Sequence, residues 1–295
     1  MSEIRVKAYA KINFGLKVLP VCKSGINKGF HNIEGIFQTI SLFDELIISE
    51  TNSEPFCNVI CDQMNLPSEN TLTKAYDAFK QLFENKIKIP SVNVLLKKGI
   101  PSGGGLGGGS ADAAALIRGL EQICKIHLSE KEKDFIAAKT GSDVFFFMHS
   151  DDDGKNCALV SGRGEVIKKI KGRTGLSLVL IFPESSSSTK EAYALLDDYF
   201  EKGNSVKCPD FSDLEFIYNK SLQKWTFKNS FTPVIMNSLS EVRNALEDME
   251  RAECCYSEMS GSGSTVFGMF TSRREADSIC KVLAQKWNCK LVETI

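Results

Sequence analysis

Residues 101–112 read Pro-Ser-Gly-Gly-Gly-Leu-Gly-Gly-Gly-Ser-Ala-Asp, with six glycines in the seven positions from Gly103 to Gly109. A glycine costs roughly 1 kcal/mol against alanine in a regular element, so this run is expected to be a loop whose backbone something approaches closely. Downstream, Ala113, Ile117, Leu120 and Cys124 recur at three- and four-residue spacing and predict a helix, with Ser110 as its N-cap and Asp112 in its first turn. A glycine loop that empties into a helix N-terminus aims several N–H groups and the positive end of a helix dipole at one point, which suits a phosphate. The Walker A pattern requires a Lys directly before the Ser/Thr, and Gly109 stands there instead. Gly103, Gly105 and Gly108 satisfy G-x-G-x-x-G. That match is nearly automatic in so glycine-rich a run, and a helix fills the interval where a dinucleotide fold would place its second strand and acidic residue. A flexible linker would be interspersed with Ser and would lack the strand-like Ser91–Leu96 before it and the helix after it.

Composition sets the outer bounds. A chain of 295 residues can bury a large core and is expected to form two domains. Its 36 Lys and Arg nearly balance 37 Asp and Glu, so no nucleic-acid surface is expected. No apolar run is long enough to span a bilayer, and the first residues enter a strand pattern at once, so a cytoplasmic protein with no membrane partner is expected. The ten cysteines contain no C-x-x-C pair. Cys57 and Cys61 lack a second pair at metal-binding spacing, and all ten are taken as reduced thiols.

From Val6 to Val18 the chain alternates with period two, so Lys11 and Asn13 point to one face of a strand, read here as solvated, opposite an apolar core face. A turn-rich stretch, 23–29, leads through Phe30-His31 into a second strand-like region ending near Ile48. Helices are expected from 68–71 to about Glu84 and over 129–140. Asp143 follows, immediately before the apolar Val144–Met148, and is either a capping carboxylate or an acid/base group; position alone does not separate these. Residues 151–156 read as the acidic turn of a hairpin. Further on, a strand is expected at Leu176–Phe182, a short serine run at 185–188, a helix at Thr189–Tyr199 and helical structure over Val234–Met249. A second Gly/Ser loop precedes an apolar strand within Met259–Phe270, then a helix, Arg274–Trp287, and a strand, Lys290–Glu293, close an α+β domain with an antiparallel sheet.

Lys7–Val18, Pro101–Ala115 and Met259–Phe270 together resemble the GHMP kinase superfamily, small-molecule kinases without a Walker A lysine. Gly29-Phe30-His31, Glu69–Leu72, Gly141–Val144, Gly162–Glu165 and Ser188–Tyr193 fall in the same order, so the resemblance covers essentially the whole chain. It implies an α+β, two-domain GHMP kinase fold: an N-terminal domain like domain 2 of ribosomal protein S5 over 1–165, and a ferredoxin-like C-terminal domain over 166–295, with ATP and substrate held between them. It further implies a bacterial cytoplasmic enzyme using ATP and Mg2+ to phosphorylate a tertiary hydroxyl on a small molecule that carries a cytidine diphosphate group. Lys11 and Asp143 would then be catalytic. Asn70, Lys98, Pro101, Gly103, Gly104, Gly105, Leu106, Gly107, Gly108, Gly109 and Ser110 would bind ATP. Asn13, Phe30, His31, Thr189, Tyr193, Gly261, Ser262 and Gly263 would bind the acceptor. The metal ligand is left open, with Ser110 and the ATP phosphates as candidates. The chain departs from the family pattern with Phe30 where Tyr is usual, Phe145 where Pro is usual, and a longer 151–156 segment. Other GHMP kinases, and a non-catalytic RNA- or nucleotide-binding protein on an S5-like domain, are the rival readings. Phe30, His31 and Tyr193 oppose the first; near-neutral charge and the presence of both Lys11 and Asp143 oppose the second.

Overall fold

The computed structural model describes residues 3–25, 27–51, 56–61, 63–84, 86–186 and 188–295. Part of the 23–29 turn and of the 185–188 serine run lies outside these described residues. In chain order the elements are β1 (Glu3–Val18), β2 (Ile33–Thr51), β3 (Cys57–Cys61), α1 (Thr71–Phe83), β4 (Ser91–Lys97), α2 (Gly108–Cys124), α3 (Glu130–Thr140), α4 (Ser142–Met148), β5 (Cys157–Ser161), β6 (Val166–Lys169) and β7 (Ser177–Phe182). Then follow α5 (Thr189–Glu201), α6 (Leu214–Tyr218), α7 (Thr232–Ser238), α8 (Ser240–Arg251), β8 (Tyr256–Met259), β9 (Val266–Phe270), α9 (Arg273–Leu283) and β10 (Asn288–Glu293). No helix among the described residues is long and apolar enough to cross a membrane.

The chain divides into two compact units: Met1–Ala10, Leu42–Ser102 and Gly107–Asn156 form the first, and Lys11–Ser41, Gly103–Leu106 and Cys157–Ile295 the second. The first unit is a sheet edge covered by helices. β4 lies antiparallel to the second half of β2, with Glu45 opposite Lys97, and parallel to β3. Helices α1 to α4 pack on one another, and α2 has a continuous buried run, with every residue from Ala111 to Ile117 inside. Its alanines let neighbours approach closely, which a helix of large side chains would prevent.

In the second unit the first half of β2 pairs with β5, and β5 with β6. A separate four-stranded antiparallel sheet runs in the order β10-β7-β9-β8, the ferredoxin-like arrangement. The core here is aromatic: Phe14 of β1 meets Trp225 at 4.8 Å and also Tyr218, Phe227 and Phe267. The burial of β1 overturns the expectation of a wet face there, since every residue from Ala10 to Leu16 is buried and Lys11 and Asn13 lie inside with the rest. Period-two alternation reports which residues share a face but not whether a second layer covers the other face.

Three other expectations change. Helix α2 starts at Gly108 with Gly107 as N-cap, so Ser110 sits inside the first turn and Asp112 lies beyond it. Residues 151–156 turn from α4 into β5 rather than closing a hairpin. The helical stretch at 234–249 breaks at Leu239, whose extended backbone separates α7 from α8.

Candidate functional site

In the first unit the α2 end of the glycine loop is tied down by charge. Lys98, at the end of β4, puts its Nζ on Asp44 Oδ2 and at 2.9 Å from Asp112 Oδ2. Asp44 also accepts from the backbone N–H groups of Gly99 (2.6 Å) and Ile100 (2.8 Å), so one carboxylate fixes the chain leading into Pro101. Two buried carboxylates share one ammonium here. Burial pushes the Asp112 carboxyl up to about 8, against the opposing pull of Lys98. The Lys98 ammonium is held above its usual range by Asp112 and Asp44, although burial opposes this. Gly107 has φ +72°, the left-handed region where a Cβ is strained. Gly108 and Gly109 open the helix, with Thr71 Oγ1 3.3 Å from where a Cβ on Gly109 would lie. Asn70 is the N-cap of α1, accepting from Leu72 and Thr73 N–H and donating to the Pro67 carbonyl. Asp143 is the second residue of α4 and half-buried. The N-cap position there is Gly141, and Asp143 is the acidic residue of the first turn.

In the second unit Lys11 is 3 % exposed, donates to Asn13 Oδ1 at 2.9 Å and lies 4.9 Å from the centre of the Phe37 ring. The two side chains that the alternation places on one strand face therefore bond to each other. Asn13 Nδ2 is buried with no hydrogen-bond partner among the described residues, a donor left unsatisfied at a cost of about 1–3 kcal/mol. The Lys11 N–H donates to the Leu106 carbonyl at 3.0 Å, so β1 also holds the buried Leu106 of the glycine loop.

Residues Gly103–Leu106 lie on the second Gly/Ser loop. Ser260 Oγ donates to the Gly105 carbonyl at 3.0 Å and the Thr265 N–H to the Gly104 carbonyl at 3.2 Å. A Cβ on Gly105 would run into the Ser260 carbonyl, and φ there is +73°. Ser262 Oγ is 3.2 Å from Thr189 Oγ1, and Gly261 and Gly263 also carry positive φ.

The aromatic residues form a chain of rings. His31 stacks on Tyr193 at 4.8 Å between centroids, and Tyr193 meets Phe231 edge-on at 5.0 Å. The His31 Nδ1–H donates to the Leu19 carbonyl at 2.7 Å, and its Nε2 is 3.3 Å from Asp197. Phe30 is 48 % exposed, with the Arg163 guanidinium 3.7 Å over its ring.

Sequence reasoning passed over Asp44, Asn229 and Glu258. Asp44 carried a signal: it falls in phase with Leu42, Leu46 and Ile48 on the buried face of β2, where an acidic residue needs partners. Asn229 lies outside any helix or strand and showed no pattern. No group of three or more His, Cys, Asp or Glu among the described residues could hold a metal.

The family model for the GHMP kinases N terminal domain matches residues 70–151, and the GHMP kinases C terminal model matches 215–289. The chain is 35% identical over 295 residues to 4-diphosphocytidyl-2-C-methyl-D-erythritol kinase of Treponema pallidum (strain Nichols), covering 97% of each chain. It is 37% identical over 272 residues to the enzyme of the same name from Thermotoga maritima, covering 89% of this chain and 90% of that one. A crystal structure of 4-(cytidine 5'-diphospho)-2C-methyl-D-erythritol kinase superposes with a TM-score of 0.73 at 23% identity, covering 99% of both chains.

Proposed function

The chain belongs to the GHMP kinase family, and from that premise we propose that it transfers the γ-phosphoryl group of ATP to the 2-hydroxyl of 4-diphosphocytidyl-2-C-methyl-D-erythritol, a step toward isoprenoid precursors that does not pass through mevalonate. One observation carries this reading: relatives of that activity match over almost their whole length, 97% of each chain in the Treponema comparison.

Phosphoryl transfer asks mainly for positioning and neutralised charge. The N–H groups of Gly103 to Ser110 and the positive end of α2 are suited to the ATP phosphates. Lys11 supplies an ammonium buried enough to act in a low dielectric. Asp143 takes the proton of the acceptor hydroxyl as its oxygen attacks the γ-phosphorus and ADP leaves. His31, Tyr193, Phe30 and Thr189 take the cytidine diphosphate portion with Asn13, whose unsatisfied Nδ2 supports a ligand acceptor there, and Gly261, Ser262 and Gly263 line the same side. Asn70, Lys98 and Pro101 serve ATP by shaping the loop, since the Asn70 side chain caps α1 and Lys98 Nζ is engaged by two carboxylates.

Mg2+ commonly keeps several waters and takes most of its other ligands from substrate phosphates. Ser110 is the one hydroxyl in the first turn of α2 and fits such a lightly held ion. Mg2+ would supply neutralisation of phosphate charge.

The test is ATP consumption by the purified chain with the cytidine-diphospho acceptor, with homoserine, with mevalonate and with no acceptor. Turnover with the first alone is expected. Equal or faster turnover with either of the others would move the chain to another branch of the family.

A further inference from the structure

One short segment, Asn229–Phe231, bonds to β1 and to the Gly/Ser loop and packs on the Tyr193 ring. Asn229 is 2 % exposed, and its Nδ2 donates to the carbonyls of Met259 and Gly261, both at 2.8 Å, on the two sides of Ser260. Its Oδ1 accepts from the Phe231 N–H at 2.9 Å, and Phe231 carries the Tyr193 and His31 rings. The next residue, Ser230, donates its N–H to the Leu16 carbonyl (2.8 Å) and accepts the Val18 N–H (3.0 Å), on the strand that bears Lys11 and Asn13. Behind it the buried Glu258 accepts from Asn229 N–H, Met259 N–H and Thr232 Oγ1. Ser260, held from both sides by Asn229, bonds the Gly105 carbonyl.

We propose that Asn229 is a positioning residue that fixes the Gly/Ser loop against Gly104 and Gly105 and, through the Phe231 N–H, fixes the ring stack that receives the cytosine, so that a single amide sets both substrate sites. The chemistry fits an amide and little else at this position. A carboxylate offers no donor to the two carbonyls and would face Glu258; an apolar side chain leaves both carbonyls and the Phe231 N–H unmet. The local geometry has no slack, because Gly105 and the Ser260 carbonyl are packed too closely for a single added methyl. A shift of the Gly/Ser loop therefore moves the phosphate-side glycines with it. This inference rests on the kinase reading above for the identity of the two ligands.

The experiment compares Asn229→Ala with Val242→Ala, a buried truncation in α8, as a stability-matched control. Wild type and variants are measured at a temperature where circular dichroism shows all of them folded. Turnover is followed with ATP and the cytidine-diphospho acceptor, and ADP and cytidine 5'-diphosphate are each titrated by calorimetry. Asn229→Ala is expected to lower kcat by at least about tenfold and to weaken both ADP and cytidine 5'-diphosphate by about three- to tenfold, on the general sensitivity of rates to small misplacements. Val242→Ala should stay within about twofold in all of these quantities. Ser260→Ala, which removes only the link to Gly105, should weaken ADP and leave cytidine 5'-diphosphate unchanged, and it carries the test should Asn229→Ala fail to fold. Wild-type-like constants for Asn229→Ala, equal losses in the control, or a Ser260→Ala variant that binds ADP normally would overturn the proposal. A wild-type chain inactive on the cytidine-diphospho acceptor would overturn the kinase reading instead, and the ADP arm would still judge Asn229.

Discussion

The two ends of the glycine loop are held by opposite means. At the α2 end the fastening is ionic: one ammonium, two buried carboxylates, and a chain leading into Pro101 pinned by Asp44. At Gly103–Leu106 it is neutral, made of backbone and hydroxyl hydrogen bonds and a contact that excludes any Cβ. A neutral clasp depends on shape and should be indifferent to pH. An ionic one tolerates small changes in shape and depends on protonation. Each end therefore has its own way of failing.

The largest effect is expected at Asp143, which shares the first unit with the ionic clasp and lies half-buried in the first turn of the short helix α4. Asp143→Asn keeps size and most hydrogen bonding. As a general base it should lose about 10²–10⁴-fold in kcat with nearly unchanged acceptor binding. Turnover within about threefold of wild type would make Asp143 one more structural carboxylate of that unit. Next come two glycines that separate the clasps. Gly105→Ala should cost on the order of 10² in kcat/KM for ATP, because the methyl meets a backbone carbonyl that cannot swing away and φ is positive. Gly108→Ala meets only side-chain atoms, Ile100 Cγ2 at 3.1 Å and Lys98 Nζ at an ordinary contact distance of 3.4 Å, in ordinary helix, and should cost less than about tenfold. Equal losses in steady-state kinetics would erase the distinction between a rigid end and a compliant one.

A smaller loss is expected away from the loop. Tyr193→Ala removes a ring that lies on His31 and against Phe231 and should weaken cytidine 5'-diphosphate by about 1–3 kcal/mol, the usual worth of base–aromatic stacking. ADP affinity measured by the same calorimetry should not move. A parallel loss of both ligands would instead mark Tyr193 as part of the neutral clasp.

How far the sequence could be read follows the same division. Pattern carried the elements well: the β1 strand, the α1 and α3 boundaries and the antiparallel second sheet all agree with the structure. Lys11 and Asn13 were legible as neighbours because period two is a local property, whereas their burial is set by what packs over that face from elsewhere in the chain, as the Phe37 ring of β2 does over Lys11. The short strands β3, β5 and β6 left no clear signal, since four or five residues hold too few repeats to establish a period. Ser110 looked like the N-cap because its side chain can cap. The helix instead begins at Gly108, with Gly107 as an N-cap of positive φ that makes no side-chain bond. Lys98 entered the ATP-binding residues through the family resemblance alone; the contacts of its ammonium with Asp44 and Asp112 needed the fold to be seen.

The ionic clasp makes a prediction about pH that the neutral one does not. The Asp112 carboxyl is raised in the folded chain to about 8 from 3.8, burial being the larger cause. Between those values the folded chain binds a proton at Asp112 that the unfolded chain does not, so stability falls as pH rises through that window. Lys98, itself held above its usual range by Asp112 and Asp44 although burial opposes this, stays charged throughout, so the proton released is that of Asp112. In denaturant titrations at pH 6 and pH 8, wild type should lose about 2 kcal/mol more than Asp112→Asn over that interval, given 1.36 kcal/mol per pKa unit and release of half the proton by pH 8. The altered bond to Lys98 shifts the variant's stability at both pH values alike, so the slope is the quantity read. Parallel slopes would mean that Asp112 is ionised in both states at pH 6, and the α2 end of the loop would then be a permanent ion triad, as indifferent to pH as the clasp at Gly105.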